Sequence, residues 1–261
     1  LHRLVDGSPK RNLTLTKAAL SRARRRDQAL MRKLQTRRGS KVSANSTFSA
    51  ERANEVYGIQ AGVLWPCVDS REFSRDPSED PDNPYHDGEE YVVSIGRASW
   101  AKGTWETISM LSGTGLSLAH VGGGDERSLS MLKSHAESSG VPMWIAPRLP
   151  SSELGSLMRE SRAVVSMAHN ESFGLTPIEA FSIGTPAIFV NEGGFRDTIQ
   201  DGKNGRLIDR DNIQEWHSAL QQASDSETRE SWAAGGLRRI AELDLSPEGH
   251  ARRIRELMRS G

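Results

Sequence analysis

From Tyr91 onward, short apolar runs alternate with amphipathic stretches, and no other feature restricts the fold of this chain as strongly. The runs cover residues 91–95, 116–121, 143–146, 163–167, 187–190 and 205–208, and residues 104–111, 128–138, 151–158 and 178–183 are the amphipathic stretches between them. Apolar runs of about five residues separated by helical stretches predict strands in βαβ units, because a parallel sheet with helices on both faces buries its strands completely. The expected fold class is therefore α/β, a doubly wound parallel sheet of Rossmann-like type. In such folds ligands sit beyond the carboxyl ends of the strands, in the loops that lead into helices.

The rest of the chain is organised differently. Residues 13–38 read as one helix dense in arginine, with eight basic residues from Arg22 to Arg38 against the single acid Asp27. Residues 41–44 read as a short strand, followed by a turn at Asn45-Ser46 and a helix ending near Tyr57-Gly58. Residues 69–90 combine Pro77, Pro81 and Pro84 with many acids and have little to bury, which predicts an exposed linker. The tail from Gln214 to Ser260 reads as helical, broken at Leu245-Ser246-Pro247, where Ser246 can cap and Pro247 can open the last helix. The expected boundaries are 1–62, a linker at 63–90, a Rossmann-like unit at 91–242 and a C-terminal helix at 243–261.

Three loops carry candidate chemistry. Gly96, Arg97, Lys102 and Gly103 follow the first strand, and two cations flanked by glycines suit a group with adjacent phosphates, with the helix opening near Thr104 adding free amides. A solvated loop with two ordinary surface cations explains the same residues. Gly122, Gly123 and Gly124 follow the next strand, without the spacing of a dinucleotide fingerprint; a tight turn with no ligand explains them equally. The third loop runs from Asn170 through Glu171, Ser172, Phe173, Gly174, Leu175, Thr176 and Pro177 to Glu179. Thr176 can be an N-cap, Pro177 the first helical residue, and Glu179 the acid of a capping box. That leaves Glu171 and Ser172-Phe173-Gly174 unexplained, a carboxylate and a Gly turn ahead of a helix start. An acid beside phosphate repels it, so Glu171 and Glu179 suit hydroxyl groups instead.

With these residues in place, the chain from about Ser43 onward resembles the C-terminal part of glycosyltransferase family 4, the group 1 retaining enzymes of the GT-B fold. Asn45-Ser46 and Tyr57-Gly58-Ile59 resemble the end of that family's N-terminal half, and Trp65-Pro66-Cys67-Val68-Asp69 its connector. Gly96-Arg97 with Lys102-Gly103 resembles its diphosphate loop. Glu171 and Glu179, with seven residues between them, match its paired glutamates, and Gly193-Gly194 with Asp197 matches the element that follows. The resemblance implies that Arg97 and Lys102 hold the donor diphosphate, with Gly96, Gly122, Gly123 and the amides of Gly174, Leu175 and Thr176 around it. It implies that Glu179 accepts from ribose hydroxyls, Glu171 from the transferred sugar beside Ser172 and Phe173, and that Ile145 and Arg148 flank the base. Ile145-Ala146-Pro147-Arg148 stands where the family usually has an aromatic residue, any residue and then Gly, so base preference stays open between UDP and GDP.

The expected function is that of a retaining glycosyltransferase, a hexosyltransferase moving sugar from a nucleoside diphosphate sugar to an unidentified sugar, lipid or small-molecule acceptor. No cofactor and no metal are expected, since family members typically work without one and the sequence has no Asp-x-Asp triplet. Residues 1–62 would be a remnant of the acceptor half, and none of His2, His86, His120, His135 or His169 is assigned to its chemistry. A rival from another class is a non-catalytic sugar-nucleotide-binding module; an epimerase of similar architecture explains the fold but not the order of the motifs. Lysine and arginine total 34, as do aspartate and glutamate, so no global field favours nucleic acid. The basic helix reads as a solvated surface first and as peripheral contact with an anionic membrane second, on the inner surface. A single cysteine, Cys67, and the lack of an apolar run of about 18 residues suit a cytoplasmic protein.

Overall fold

The computed structural model describes residues 3–10, 13–68, 81–85 and 89–259 of the 261. Ten helices and eight strands are found among the described residues. The connector's Asp69, most of the acidic linker, His2 and His86 lie outside them. No described helix is long and apolar enough to cross a membrane.

The periodic part of the sequence builds the main sheet. Its strands are β3 (Tyr91–Ile95), β4 (Ser117–Val121), β5 (Met143–Ala146), β6 (Val164–Ser166), β7 (Ala187–Val190) and β8 (Arg206–Ile208). All pairs are parallel, in the order β5-β4-β3-β6-β7-β8. Each strand matches an expected apolar run, and the sheet is doubly wound as expected. Helices α3 (Thr104–Leu111), α4 (Glu126–Ser138), α5 (Ser151–Arg159), α6 (Thr176–Ser182), α7 (Phe195–Thr198), α8 (Ile213–Gln222) and α9 (Ser226–Leu243) connect or follow the strands. They close a core that contains all four residues of β7 together with Phe181, Phe195 and Trp216. The strand order runs outward from β3 to β5, then returns to the other side of β3 for β6. Loops leaving β3 and β6 therefore diverge, and the crevice between them is the place where such a sheet accepts ligands.

The N-terminal region holds α1 (Leu13–Thr36), β1 (Ser43–Ala44), α2 (Thr47–Tyr57) and β2 (Gly62–Val63). β1 and β2 form a separate two-stranded parallel ladder. The expected strand at 41–44 is thus half as long, and β2 was not foreseen. Ser46 caps α2 by accepting from Ser49 N at 2.9 Å, and Gly58 ends it at φ 69°. Leu15, Leu20 and Leu30 on α1 are exposed.

The tail departs from expectation once. It breaks at Ala223–Asp225 as well as near Pro247, because Asp225 caps α9 by accepting from Thr228 N at 2.8 Å. The second break is as read: Ser246 accepts from Gly249 N at 3.0 Å and Pro247 opens α10 (Pro247–Arg259). α10 returns to the connector, where His250 Nδ1 lies 2.8 Å from the Trp65 carbonyl oxygen and Arg253 stacks over the Trp65 ring.

Candidate functional site

The β3 loop is shaped by a 3-10 turn, Trp100–Lys102, closed by Gly103 at φ 66°. A Cβ on residue 103 would lie 1.9 Å from the Met167 carbonyl oxygen, so glycine lets this loop touch the one leaving β6. His169 N donates to Ala101 O at 2.9 Å and adds a second tie. The His169 ring stacks on Trp100 at 4.2 Å between centroids, its Nε2 lies 2.7 Å from Glu106 Oε1, and the Arg3 guanidinium lies over the Trp100 ring at 4.8 Å. His169 is therefore a packed residue that joins the loops.

Between the two loops lies a cleft of about 320 Å³. Ile95, Ser166 and Ala168 form its floor at the strand ends. Lys102 enters from the β3 loop, and Glu171, Ser172, Phe173, Gly174, Leu175 and Thr176 come from the β6 loop. Phe195 closes one side, and Asn45 and Pro66 reach in from the N-terminal region. Inside the cleft Lys102 Nζ stands 2.5 Å from Glu171 Oε2, while Glu171 Oε1 accepts from Ser172 N at 3.2 Å. Both side chains are about a third exposed or less. A cation and an acid at hydrogen-bond distance, beside backbone amides at the start of α6, can serve an anionic group and a hydroxylated one side by side.

Not every candidate residue lines this cleft. Gly96, Arg97, Gly122, Gly123, Ile145, Arg148 and Glu179 stand outside its lining. Arg97 and Arg148 are exposed, and Glu179 is half-buried in the first turn of α6. The glycine loops are nevertheless neighbours of the β3 loop. Gly96 N donates to Val121 O at 3.0 Å, Ala98 N to Gly123 O at 2.9 Å, and Gly122 N to Ala146 O at 2.8 Å, so the ends of β3, β4 and β5 share one continuous rim. The start of α6 also differs by one residue from the sequence reading. Leu175 is the N-cap and makes no side-chain cap bond, whereas Thr176 is the first helical residue. Pro177 has no N–H to donate, and the Glu179 N–H already reaches Leu175 O at 3.1 Å.

Several supporting contacts went unread in the sequence. Arg210 donates through Nη1 to Met167 O at 2.7 Å and through Nε to Glu192 at 3.0 Å, which braces the β6 loop from behind. Burial alone would raise the Glu192 pKa, but the Arg210 hydrogen bond and charge hold it below the usual carboxylate range. Asp197, buried, accepts from Thr47 N at 2.7 Å and from Trp65 Nε1 at 3.1 Å. Ser46 Oγ donates to Ser172 O, and Asn45 Nδ2 to Ser172 Oγ at 3.4 Å. These bonds seat the N-terminal region on the cleft. On the far side Gly194 N donates to Glu171 O at 2.7 Å, and Gly193 and Gly194 press directly against the backbone of residues 170–173.

Comparisons with known proteins bear on the family and the fold. The sequence model of the family described as Glycosyl transferases group 1 matches residues 76–239. The D-inositol 3-phosphate glycosyltransferase of Rhodococcus erythropolis is 28% identical over 220 residues, which are 77% of this chain and 50% of that protein. The protein of the same name from Corynebacterium kroppenstedtii is 40% identical over 89 residues, 34% of this chain and 20% of the relative. The chain thus spans half or less of the length of these two relatives. Sucrose-phosphate synthase from Thermosynechococcus elongatus superposes with a TM-score of 0.71 at 19% identity, covering 84% of this chain and 57% of that one. HepE from Anabaena, solved with UDP and glucose, superposes with a TM-score of 0.68 at 18% identity, covering 85% and 63%. At such identities the likeness concerns the fold, which is that of the GT-B glycosyltransferases. With the family match extending over more than half of its residues, on a sheet of this strand order, the chain belongs to the group 1 glycosyltransferases.

Proposed function

We propose that this chain is the donor-binding part of a retaining glycosyltransferase that moves a hexose from a UDP- or GDP-linked donor to an acceptor hydroxyl. In this reading residues 91–242 carry the donor, residues 1–62 belong to the acceptor side, 63–90 connect them, and the last helix closes the connector. The observation that carries it is the placement of Lys102, Glu171 and the start of α6 in one cleft at the switch of strand order. Two relatives named for glycosyl transfer to D-inositol 3-phosphate and a structural neighbour solved with UDP and glucose support the same reading.

The diphosphate lies against Lys102 and the amides of Gly174–Thr176, with Arg97 swinging in from the rim. These fixed charges offset the negative charge that grows on the leaving group as the sugar bond breaks. Glu171 holds hydroxyls of the sugar, Glu179 those of the ribose, and Ile145 and Arg148 flank the base beside Gly122 and Gly123. The acceptor oxygen attacks the anomeric carbon on the face from which the diphosphate departs. One carbon–oxygen bond breaks as the other forms, and the acceptor proton passes to a diphosphate oxygen, so configuration is retained without a protein nucleophile.

Calorimetric titration with UDP and GDP tests the reading. Binding in the micromolar range is expected with at least one of them, weakened about tenfold or more in Arg97→Ala and Lys102→Ala, since a lost charge-assisted contact to phosphate is worth about 1.5–3 kcal/mol. Unchanged affinity in both variants would remove the diphosphate assignment.

A further inference from the structure

We propose that the Lys102–Glu171 ion pair makes the cleft discriminate between a nucleoside diphosphate that carries its sugar and one that does not. The inference rests on the donor reading above and adds a preference that the reading alone does not contain. Lys102 Nζ stands 2.5 Å from Glu171 Oε2, and Glu171 Oε1 accepts from Ser172 N. Both carboxylate oxygens are engaged, and the ammonium faces the acid. A diphosphate that takes up Lys102 must draw it away from Glu171. The carboxylate then stands beside an anion, in a cleft where water reaches it poorly, because only 23% of its side chain is exposed.

The two ligands differ in what they return to Glu171. A sugar carried beyond the diphosphate presents hydroxyl donors, and the acid exchanges one partner for another. A bare nucleoside diphosphate presents none, and the acid is left as a like charge near the phosphates. The ion pair therefore opposes the second ligand more than the first. After transfer the same pair re-forms at the expense of the leaving nucleoside diphosphate and speeds its release. Glu171 is held in place from behind through Gly194 N to Glu171 O at 2.7 Å, so its carboxylate cannot retreat with the backbone to relieve the repulsion.

The test is isothermal titration of the 261-residue chain with UDP and UDP-glucose, and with GDP and GDP-glucose, in the wild type, Glu171→Gln, Glu171→Ala, Lys102→Ala and the Lys102→Ala/Glu171→Gln double variant. Circular dichroism confirms that each variant is folded. Glu171→Gln should tighten the bare nucleotide about fivefold to tenfold and bring its affinity level with that of the sugar nucleotide, and Glu171→Ala should act in the same direction. The gain should shrink when Lys102 is also alanine, because the part that comes from releasing that ammonium is then absent and only the like-charge contact remains. If the wild type binds a nucleoside diphosphate through Lys102 but Glu171→Gln binds it no better, the inference fails while the donor reading stands. A gain that is just as large without Lys102 also overturns it, as a general charge effect. A wild type that binds no nucleoside diphosphate overturns both.

Discussion

The six-stranded half and the N-terminal region of this molecule are held together by different forces. In the first, strand residues such as Val92, Val93, Ile188, Phe189 and Val190 are fully buried, and aromatic side chains fill the spaces under the helices. In the second, Ser46 and Ile59 are the buried residues among 14–68, and α2 buries no residue at all. A region with so little apolar burial cannot draw its order from the hydrophobic effect, which scales with area removed from water. It depends instead on directional contacts: the Ser46 and Gly58 caps, the bonds to Asp197 and Ser172, and the return of α10 to Trp65. The difference implies two levels of local stability in one chain, with the region that roofs the cleft opening at lower free energy than the sheet beneath it.

The largest effect should come from emptying the sheet half. Phe181 is 1% exposed where α6 meets α9, and Phe181→Ala should cost about 3–5 kcal/mol by urea denaturation, with the strands unfolding as a unit. A loss below about 1 kcal/mol would mean that this half does not rest on its core. Next in size is a pH effect confined to the same half. Burial pushes the His120 pKa on β4 down from 6.5 to about 4, and Ser94 Oγ lies 2.8 Å from its Nδ1. The folded state keeps the ring neutral while the unfolded chain protonates it. Stability is thus full above pH 6.5 and is lost as pH falls toward 4, by up to roughly 3 kcal/mol. Thermal melts across that range should show the slope, and His120→Asn should flatten it; an unchanged slope would assign it to other groups. The smallest effect belongs to the N-terminal region. Asp197→Ala leaves the Thr47 amide and the Trp65 indole without their acceptor, at about 1–3 kcal/mol. Hydrogen exchange should accelerate in α2 and the connector and stay the same in β3 to β8. Equal acceleration in both would erase the distinction between the halves.

What the sequence made legible follows the same division. All six strands of the main sheet could be read because each is a short, continuous apolar run, the pattern that burial on both faces imposes. β2 could not, since Gly62-Val63 is two residues long and one of them has no side chain. The break at Ala223–Asp225 was hidden because helical residues flank it closely, and only the cap at Asp225 marks the boundary. Lys102 and Glu171 were legible as types in suggestive loops, but the ion pair between them joins positions 69 residues apart and exists only in the fold. Asn45, Pro66 and Phe195 were missed as cleft residues for a related reason. Nothing local distinguishes a turn residue that faces solvent from one that another segment brings over a cleft. Arg210 gave no signal either, as one arginine among many in a charged surface stretch.

The contact of Gly193 and Gly194 with the backbone of residues 170–173 has a consequence for how this cleft can vary. A Cβ at 193 would sit 2.4 Å from the Glu171 carbonyl oxygen, and one at 194 would sit 2.5 Å from the Ser172 carbonyl oxygen. The acid is thereby registered against the exit of β7 as well as its own loop. Lengthening or shortening the segment after β6 cannot simply slide Glu171 deeper or shallower, because the glycine pair acts as a stop. Changes in what the cleft accepts must then come from its other walls, where Asn45, Pro66 and Phe195 stand, while the depth at which an acid meets its ligand stays constant.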